Sequence, residues 1–181
     1  MPVRVSCADF KPGRSFRRIQ AKNDDIVRSI VPASATQEQF QLFSTYQDAR
    51  HGNGDMARMD ARDYRAMVED STIDTSIFEY RRPDGSLIAV ALVDNLSDGL
   101  SAVYSFFDPK EHKRCLGTYI ILDLIAEAQA FEFPHIYLGY WISDCRKMSY
   151  KMRFQPLEGF KNGRWEIMSE DATQARPNGS S

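Results

Sequence analysis

The sequence predicts a single α+β domain, and three observations support this. The chain has 181 residues, 43% hydrophobic and 27% charged, and its eleven Phe, eight Tyr and two Trp are enough for one sizeable core. Helical patterns dominate the first part, whereas hairpin-linked strands, one long helix and further strands follow. No apolar run approaches the ~20 residues of a membrane span, and the first residues contain no signal-peptide core. We therefore expect a cytoplasmic protein without a membrane partner.

Polar caps set the boundaries of the helices in the first part of the chain. Thr36 and Gln39 have the spacing of a capping box, so a helix is expected to start there and to end near Arg50. Asp60 has the position of an N-cap before a second helix. The elements predicted ahead of these helices are a strand at 2–6, a short basic helix at 15–22 and a strand at 26–31, which Pro32 ends.

Turn residues divide the second part into strands and one long helix. The predicted elements are an antiparallel meander of strands at 77–81, 87–93 and 100–107, a helix at 116–131, a strand at 135–141, a helix at 145–153, and a hairpin of 154–160 with 165–168 around Asn162-Gly163. The strand at 87–93 is almost wholly apolar, which favours a central position. We expect the domain to span 1–168 and residues 169–181 to form a disordered tail.

Cysteine and charge patterns argue against several classes of protein. Cys7, Cys115 and Cys145 form no CxxC and no zinc-ligand spacing with a histidine, so each is interpreted as a buried, inert thiol, and no metal is expected. The net charge is +5 over residues 1–22, −8 over 24–111 and +3 over 113–164. A uniformly basic nucleic-acid-binding protein is thereby excluded, whereas local basic contacts and ordinary solvated faces both stay open, and no DNA partner is expected.

The element order resembles the N-acetyltransferase-like (GNAT) layout, in which the helix after the meander presents its N-terminus to a phosphate-bearing donor. Residues 113–118 read KRCLGT, which contains the Arg-x-x-Gly half of the acetyltransferase phosphate loop in Arg114 and Gly117, followed by Thr118. Amides at a helix N-terminus, and a glycine that permits close approach, are the physical basis of such a loop. Because Arg-x-x-Gly is frequent, the motif alone is weak evidence for a donor site.

Six segments resemble one family in their order along the chain. They are YQDARH at 46–51, LSDGLS at 96–101, YSFFDP at 104–109, LGTY at 116–119, YLGYW at 137–141 and RKMSYKMRFQPLE at 146–158. Together they resemble the aminoacyl-tRNA–protein transferases of the N-degron pathway, specifically the bacterial aspartate/glutamate leucyltransferases, which are relatives of eukaryotic arginyltransferase. The resemblance extends over nearly the whole chain.

The resemblance implies a GNAT-like catalytic domain that transfers leucine from leucyl-tRNA to the α-amine of proteins beginning with Asp or Glu, which marks them for degradation. The implied partners are the charged tRNA and these proteins, with no cofactor. Family members carry a cysteine-bearing segment before the stretch that resembles Val3-Arg4-Val5, and this sequence starts at Met1. We therefore expect an N-terminally truncated member whose strand at 2–6 is exposed along one edge.

An aminoacyl ester is already activated, so its aminolysis depends mainly on positioning. The α-amine has an ordinary pKa of roughly 7.7–8.0, and the remaining demand is to stabilise the oxyanion. The end of the third meander strand would supply backbone amides, and Tyr104 or Asp108 would relay the proton of the amine. The alternative is that Tyr104 belongs to the core and that Asp108 only forms a turn with Pro109.

The acidic side chain of the acceptor calls for a cation, for which Arg50 and His51 at a helix end are candidates. Basic residues that face the helix dipole would look the same. The cluster of Lys147, Tyr150, Lys151 and Arg153 places an aromatic ring between cations, as suits the stacked bases and phosphates at the end of a tRNA. An exposed amphipathic helix is the alternative for that cluster.

The donor cleft is expected to have one wall on the strand at 135–141. Tyr137 and Trp141 lie four residues apart and therefore on one face, and Tyr140 lies on the other. One set lines the aminoacyl pocket and the other belongs to the core, and the pattern does not separate them. The same residues leave three other functions open: an arginyltransferase, a CoA-dependent N-acetyltransferase, and an inactive module that only binds N-terminal Asp or Glu.

Overall fold

The computed structural model of this chain describes residues 1–51, 55–142 and 145–168, with only the backbone of residues 51, 55, 57, 146 and 147. The predicted tail at 169–181 lies outside the described residues. The helices are α1 (Arg14–Lys22), α2 (Gln37–His51), α3 (Ala61–Glu69) and α4 (Leu116–Ala130), with 3-10 helices at Asp55–Arg58, Pro109–Arg114 and Arg146–Arg153. The strands are β1 (Pro2–Ser6), β2 (Val27–Pro32), β3 (Thr75–Arg81), β4 (Leu87–Leu96), β5 (Gly99–Phe107), β6 (His135–Tyr140), β7 (Leu157–Lys161) and β8 (Arg164–Ile167).

The strands form one sheet in the order β2-β3-β4-β5-β6-β1-β7-β8. All neighbouring strands are antiparallel except β5 and β6, which are parallel. The predicted three-stranded meander is present, and β2 extends it to four strands by pairing with β3 along its whole length. The hairpin around Asn162-Gly163 is also confirmed, with both residues at positive φ.

The expectation that β1 has an exposed edge is wrong. This strand lies inside the sheet, with β6 on one side and β7 on the other, and the side chains of Val3 and Val5 are buried. Its backbone groups are therefore paired along both edges. The sequence pattern marks the strand but contains no information on these partners, which come from the other end of the chain.

Helices cover both faces of the sheet. On one face α1 and α4 pack over the larger hydrophobic core, and on the other α2 and α3 pack over a smaller one. The central strand β4 serves both, since Ala91 and Val93 point into the first core and Val90 and Leu92 into the second. This explains why its sequence is apolar throughout, as predicted.

The predicted capping box at Thr36 and the predicted N-cap at Asp60 are both present, and Asp60 also forms a capping box with Asp63. Thr36 Oγ1 accepts a hydrogen bond from the Gln39 backbone N–H, at 3.2 Å, and Gln39 Oε1 accepts one from the Thr36 N–H, at 3.0 Å. The Asp60 carboxylate accepts from the N–H groups of Arg62 and Asp63 in the same way. These bonds satisfy N–H groups that a helix start leaves unpaired, and they fix where α2 and α3 begin.

A wedge opens in the sheet where β5 and β6 separate. The two strands pair only at three positions, from Gly99 opposite His135 to Ser101 opposite Tyr137. At the start of this contact a Cβ on Gly99 would lie 2.2 Å from the His135 carbonyl oxygen, so only glycine allows the close approach. Beyond it the register of β5 against β4 slips at Val103, which is the extra residue of a β-bulge.

The cysteine prediction is correct only for Cys7, which is buried and whose pKa burial raises to about 11. Cys115 is exposed, because it lies at the surface start of α4 in a left-handed conformation, and Cys145 is partly exposed. In the described parts of the chain, no three His, Cys, Asp or Glu side chains gather as metal ligands. No helix described there has the length and apolar character to cross a membrane.

Candidate active site

The wedge between β5 and β6 contains a cavity of about 250 Å³. Helix α4 forms its floor, and the 3-10 helix Arg146–Arg153 closes one side. It is lined by Tyr46, Ala91, Ala102, Val103, Tyr104, Ser105, Ile120, Ile121, Leu124, Leu138, Tyr150 and Lys151. Beyond Ser101 the edge of β5 that faces the wedge has no strand partner among the described residues, so alternate backbone N–H groups there point towards the cavity.

Lys151 is the one charged residue among those that line this cavity. Its side chain is only 7% exposed, and its ammonium group donates a hydrogen bond to the Tyr140 carbonyl oxygen. Within the described part of the chain no carboxylate lies within 4.0 Å of it, and burial lowers the pKa of the amine. A buried cation without an ionic partner is costly, and an anionic ligand would relieve that cost.

Tyr104 presents its hydroxyl on the β5 wall of the cavity. Its oxygen accepts a hydrogen bond of 2.7 Å from Gln47 Nε2, and burial raises the pKa of the phenol. Gln47 is 1% exposed, and its Oε1 has no hydrogen-bond partner among the described residues. Because the amide donates to the phenol oxygen, the hydroxyl proton is left for a group in the cavity. The predicted catalytic residue therefore lies in the site, together with a glutamine that sequence reasoning missed.

Asp108 lies at the end of β5 but is not among the cavity-lining residues. Its carboxylate accepts a hydrogen bond from the Lys110 N–H, at 2.9 Å, and so caps the 3-10 helix Pro109–Arg114. It also lies 3.6 Å from the guanidinium of Arg82. Asp108 thus caps a helix and has an arginine as its ionic partner. The turn with Pro109, which was the alternative interpretation of this residue, is present.

Arg50 lies at the rim of the cavity, through its contact with Tyr46. Its guanidinium carbon is 5.6 Å from the centre of the Tyr46 ring and 5.1 Å from that of Phe107. Phe107 in turn packs against Gly117, where a Cβ would come within 3.2 Å of the ring. Gly117, the glycine of the predicted phosphate loop, thus leaves space for the Phe107 ring, against which the Arg50 guanidinium packs. The side chain of His51 lies outside the described residues.

Arg114 is held in a network of carboxylates at the start of α4. Two of its nitrogens donate to the Asp25 carboxylate, at 2.6 and 2.8 Å, and its Nε donates to Glu111, at 2.8 Å. These bonds raise the pKa of the guanidinium and lower that of Asp25, and the pKa of Glu111 is lowered mainly by its hydrogen bond from Arg82 and further by Arg114. Next to it, the Thr118 N–H is bonded to the Cys115 carbonyl oxygen. Arg114 is therefore already neutralised, whereas a phosphate-binding arginine would be available to its ligand.

Two of the predicted aromatic residues lie away from the cavity. The Tyr137 hydroxyl donates to Asp98, at 2.7 Å, and accepts from Arg4, at 3.3 Å, on the face of β6 opposite to Leu138. Trp141 packs against the larger core, and its backbone is bonded to Met1 in both directions. Leu138 supplies the β6 wall instead.

Tyr150 lies at the mouth of the cavity, with 40% of its surface exposed, so that the structure brings it together with Lys151. Arg153 of the same predicted cluster is exposed, and the side chain of Lys147 lies outside the described residues. Sequence reasoning missed Tyr46 and the bulge at Val103. Tyr46 and Gln47 are the first two residues of the family-like segment at 46–51, and this membership was the only signal that could have identified them. Nothing in the sequence around Val103 indicates a bulge.

A family model described as "Arginine-tRNA-protein transferase, C terminus" matches residues 38–161, which is more than half of the chain. The chain belongs to the aminoacyl-tRNA–protein transferase family. A family member named "Aspartate/glutamate leucyltransferase" from Parvibaculum lavamentivorans is 55% identical over 163 residues, 90% of this chain and 68% of the relative. A transferase of the same name from Paramagnetospirillum magneticum is 54% identical over 166 residues, 92% of this chain and 68% of the relative. The resemblance seen in the sequence is confirmed, and the chain spans about two thirds of these transferases.

Among solved structures, "The structure of L-PGS from Bacillus licheniformis" matches this transferase-family chain with a TM-score of 0.57. The match covers 84% of this chain and 49% of that one, at 10% sequence identity. At this identity the likeness concerns the fold alone. It confirms the predicted α+β class and its GNAT-like architecture.

Proposed function

We propose that this chain transfers leucine from leucyl-tRNA to the α-amine of proteins whose first residue is Asp or Glu. The observation that carries the proposal is the buried Lys151 inside the wedge cavity, which has no carboxylate within 4.0 Å in the part of the chain that the structure describes. Its charge suits an acceptor with an acidic first side chain, and the names of the two relatives supply the reaction. Charged tRNA and nascent or cleaved proteins meet in the cytoplasm, where we place the reaction.

The walls of the cavity favour a leucyl donor over an arginyl donor. Ile120, Ile121, Leu124 and Leu138 offer an apolar surface to an aliphatic side chain. No carboxylate lines the cavity in the part of the chain that the structure describes, so an arginyl guanidinium would be buried there without a counter-ion. An unpaired buried charge costs several kcal/mol, and close to Lys151 the repulsion between two cations would add to this.

The reaction needs one bond to form and one to break. The neutral α-amine attacks the ester carbonyl, a C–N bond forms, and the C–O bond to the tRNA ribose breaks. The proton that the amine loses goes to the departing ribose oxygen. Tyr104 would donate its hydroxyl hydrogen bond to the oxygen that gains charge, and the N–H groups of β5 that have no strand partner among the described residues would be further donors for it. In this proposal the oxyanion is stabilised from one strand.

Recognition of the acceptor then follows from charge. An Asp or Glu side chain would receive a charge-assisted hydrogen bond from Lys151, with Arg50 at the rim as the second cation. Asn or Gln in the same place would leave the ammonium group without an anion. The site would therefore reject the amide even though its shape is the same.

The proposal is tested by measuring the transfer of radiolabelled leucine from leucyl-tRNA to peptides that differ only in a first residue of Asp, Glu, Asn or Ala. We expect transfer to the two acidic peptides, with kcat/KM at least about tenfold above that for Asn, or ~1.4 kcal/mol. Arginyl-tRNA and acetyl-CoA are the donor controls. Transfer from either control donor at a rate equal to that from leucyl-tRNA would contradict the proposal.

A further inference from the structure

Helix α1 carries four cations and no acid. Arg14, Arg17, Arg18 and Lys22 are all exposed, and within the described residues none of them has a carboxylate within 4.0 Å. Elsewhere the arginines at 4, 28, 81, 82 and 114 all have carboxylate partners. These five paired arginines lie on or next to the strands and at the start of α4, whereas all four cations of α1 are without a carboxylate partner among the described residues.

Two contacts connect the cations of α1 to basic residues on neighbouring elements. At one end the Lys22 ammonium donates to the Lys113 carbonyl oxygen, at 3.1 Å, just before α4. At the other end the Arg153 guanidinium lies over the ring of Phe16, at 5.1 Å, and belongs to the same 3-10 helix as Tyr150 and Lys151. We call this set the α1 basic surface; its members are Arg14, Arg17, Arg18, Lys22, Lys113 and Arg153.

The apolar face of α1 is already used. Phe16 is 5% exposed and stacks on Phe154, with ring centres 4.9 Å apart, and Ile19 packs against the larger core. A basic helix that binds a lipid surface would need this face to insert between the headgroups. What the helix leaves exposed is charge alone, which suits a partner that offers regularly spaced phosphates.

We infer that the α1 basic surface binds the backbone phosphates of the acceptor arm of the donor tRNA. The inference rests on the proposed function, because the 3′ end of the same tRNA then enters the wedge. Arg153 and Tyr150 lie on one short helix, so the surface begins where the cavity opens. Phosphate contacts of this kind position the RNA without reading its sequence.

The test is a triple substitution, R14Q/R17Q/R18Q, which removes three exposed charges and keeps side chains of similar length. R62Q/R65Q on α3 is the matched control, since these arginines are also exposed and three positions apart on a helix. Fluorescence anisotropy gives the affinity for labelled leucine tRNA at a series of NaCl concentrations. Steady-state kinetics give the KM values for leucyl-tRNA and for an Asp peptide.

For the triple variant we expect tRNA affinity to fall at least about tenfold, and the slope of log K against log salt to become shallower by roughly 2 to 3 for three lost phosphate contacts. The KM for leucyl-tRNA rises, while kcat and the KM for the peptide stay the same. An unchanged slope, or an equal loss in the control, overturns the inference. So does binding to phosphatidylglycerol vesicles that depends on the three arginines while tRNA affinity does not. If tRNA binding behaves as expected but no leucine is transferred, the proposed function fails and the tRNA surface stands.

Discussion

Replacing Lys151 by Met removes the cation from the wedge cavity and keeps an unbranched side chain of similar length. A hydrogen bond to a charged group contributes roughly 1.5–3 kcal/mol, and with the side chain only 7% exposed there is little solvent to screen it. We therefore expect the ratio of kcat/KM for Asp over Asn peptides to fall roughly 10- to 150-fold, with the Asn peptide nearly unaffected. The assay is leucine transfer to the two peptides under identical conditions.

The exposed Lys161 provides the matched control for this substitution, because Lys161→Met removes a surface charge of the same type at the end of β7. Equal losses of kcat/KM for the Asp and Asn peptides in Lys151→Met would refute the reasoning. They would mean that the lysine binds the donor or stabilises the fold rather than recognising the acceptor. Stability gives a second readout. Burial lowers the pKa of Lys151, so the unfolded chain binds the proton more strongly, and the stability of the wild type rises with pH between the folded pKa and the ordinary value near 10.4. We expect that contribution to be absent in the methionine variant and retained in the control.

Four further outcomes follow from the geometry. Tyr104→Phe is expected to lower kcat at least about tenfold, and Gln47→Met to have no further effect in that background, because the amide acts through the phenol; additive losses in single-turnover kinetics would contradict this. Arg50→Gln, at the rim, is expected to reduce the ratio of kcat/KM for Asp over Asn peptides less than Lys151→Met does. A larger reduction would make Arg50 the main cation for the acceptor carboxylate and Lys151 the second. Gly99→Ala is expected to lower the free energy of unfolding by more than about 2 kcal/mol in urea titrations, since its Cβ has no space beside His135. Arginine partners lower the pKa values of Asp25, Glu38 and Glu111, so these three carboxylates contribute to the free energy of unfolding above pH ~4.3, and their contribution is lost as the pH falls below that value. A midpoint of thermal unfolding that does not change with pH in this range would disprove the contribution.

Local features of this fold were predictable from the sequence because their physics is local. The capping boxes of α2 and α3 depend on residues three apart, and the apolar run of β4 reports burial on both faces whatever its neighbours are. The position of β1 was not predictable in this way. Alternation of Val3 and Val5 shows that a strand has a buried face, but it does not say which strands lie beside it.

The site was predictable to the extent that family-like segments marked it. Tyr104, Tyr150 and Lys151 were named from such segments and meet in the cavity. For the strand β6, alternation separated two faces but could not say which one meets the wedge, and Leu138 rather than Tyr137 does. The bond between Gln47 and Tyr104 joins positions 57 apart, and no local pattern encodes it.

The interior position of β1 has a consequence for how the chain reaches its native state. This strand is synthesised well before its two neighbours, which are β6, at His135–Tyr140, and β7, at Leu157–Lys161. During translation the strands β2 to β5 can pair with one another as soon as residue 107 has been made, whereas β1 must wait until the ribosome has passed residue 159. Contacts this distant in sequence slow folding, because the intervening chain must be ordered before they form. The half of the sheet beyond the wedge is therefore expected to assemble last, and a nascent chain stopped before β7 would expose β1 to chaperones.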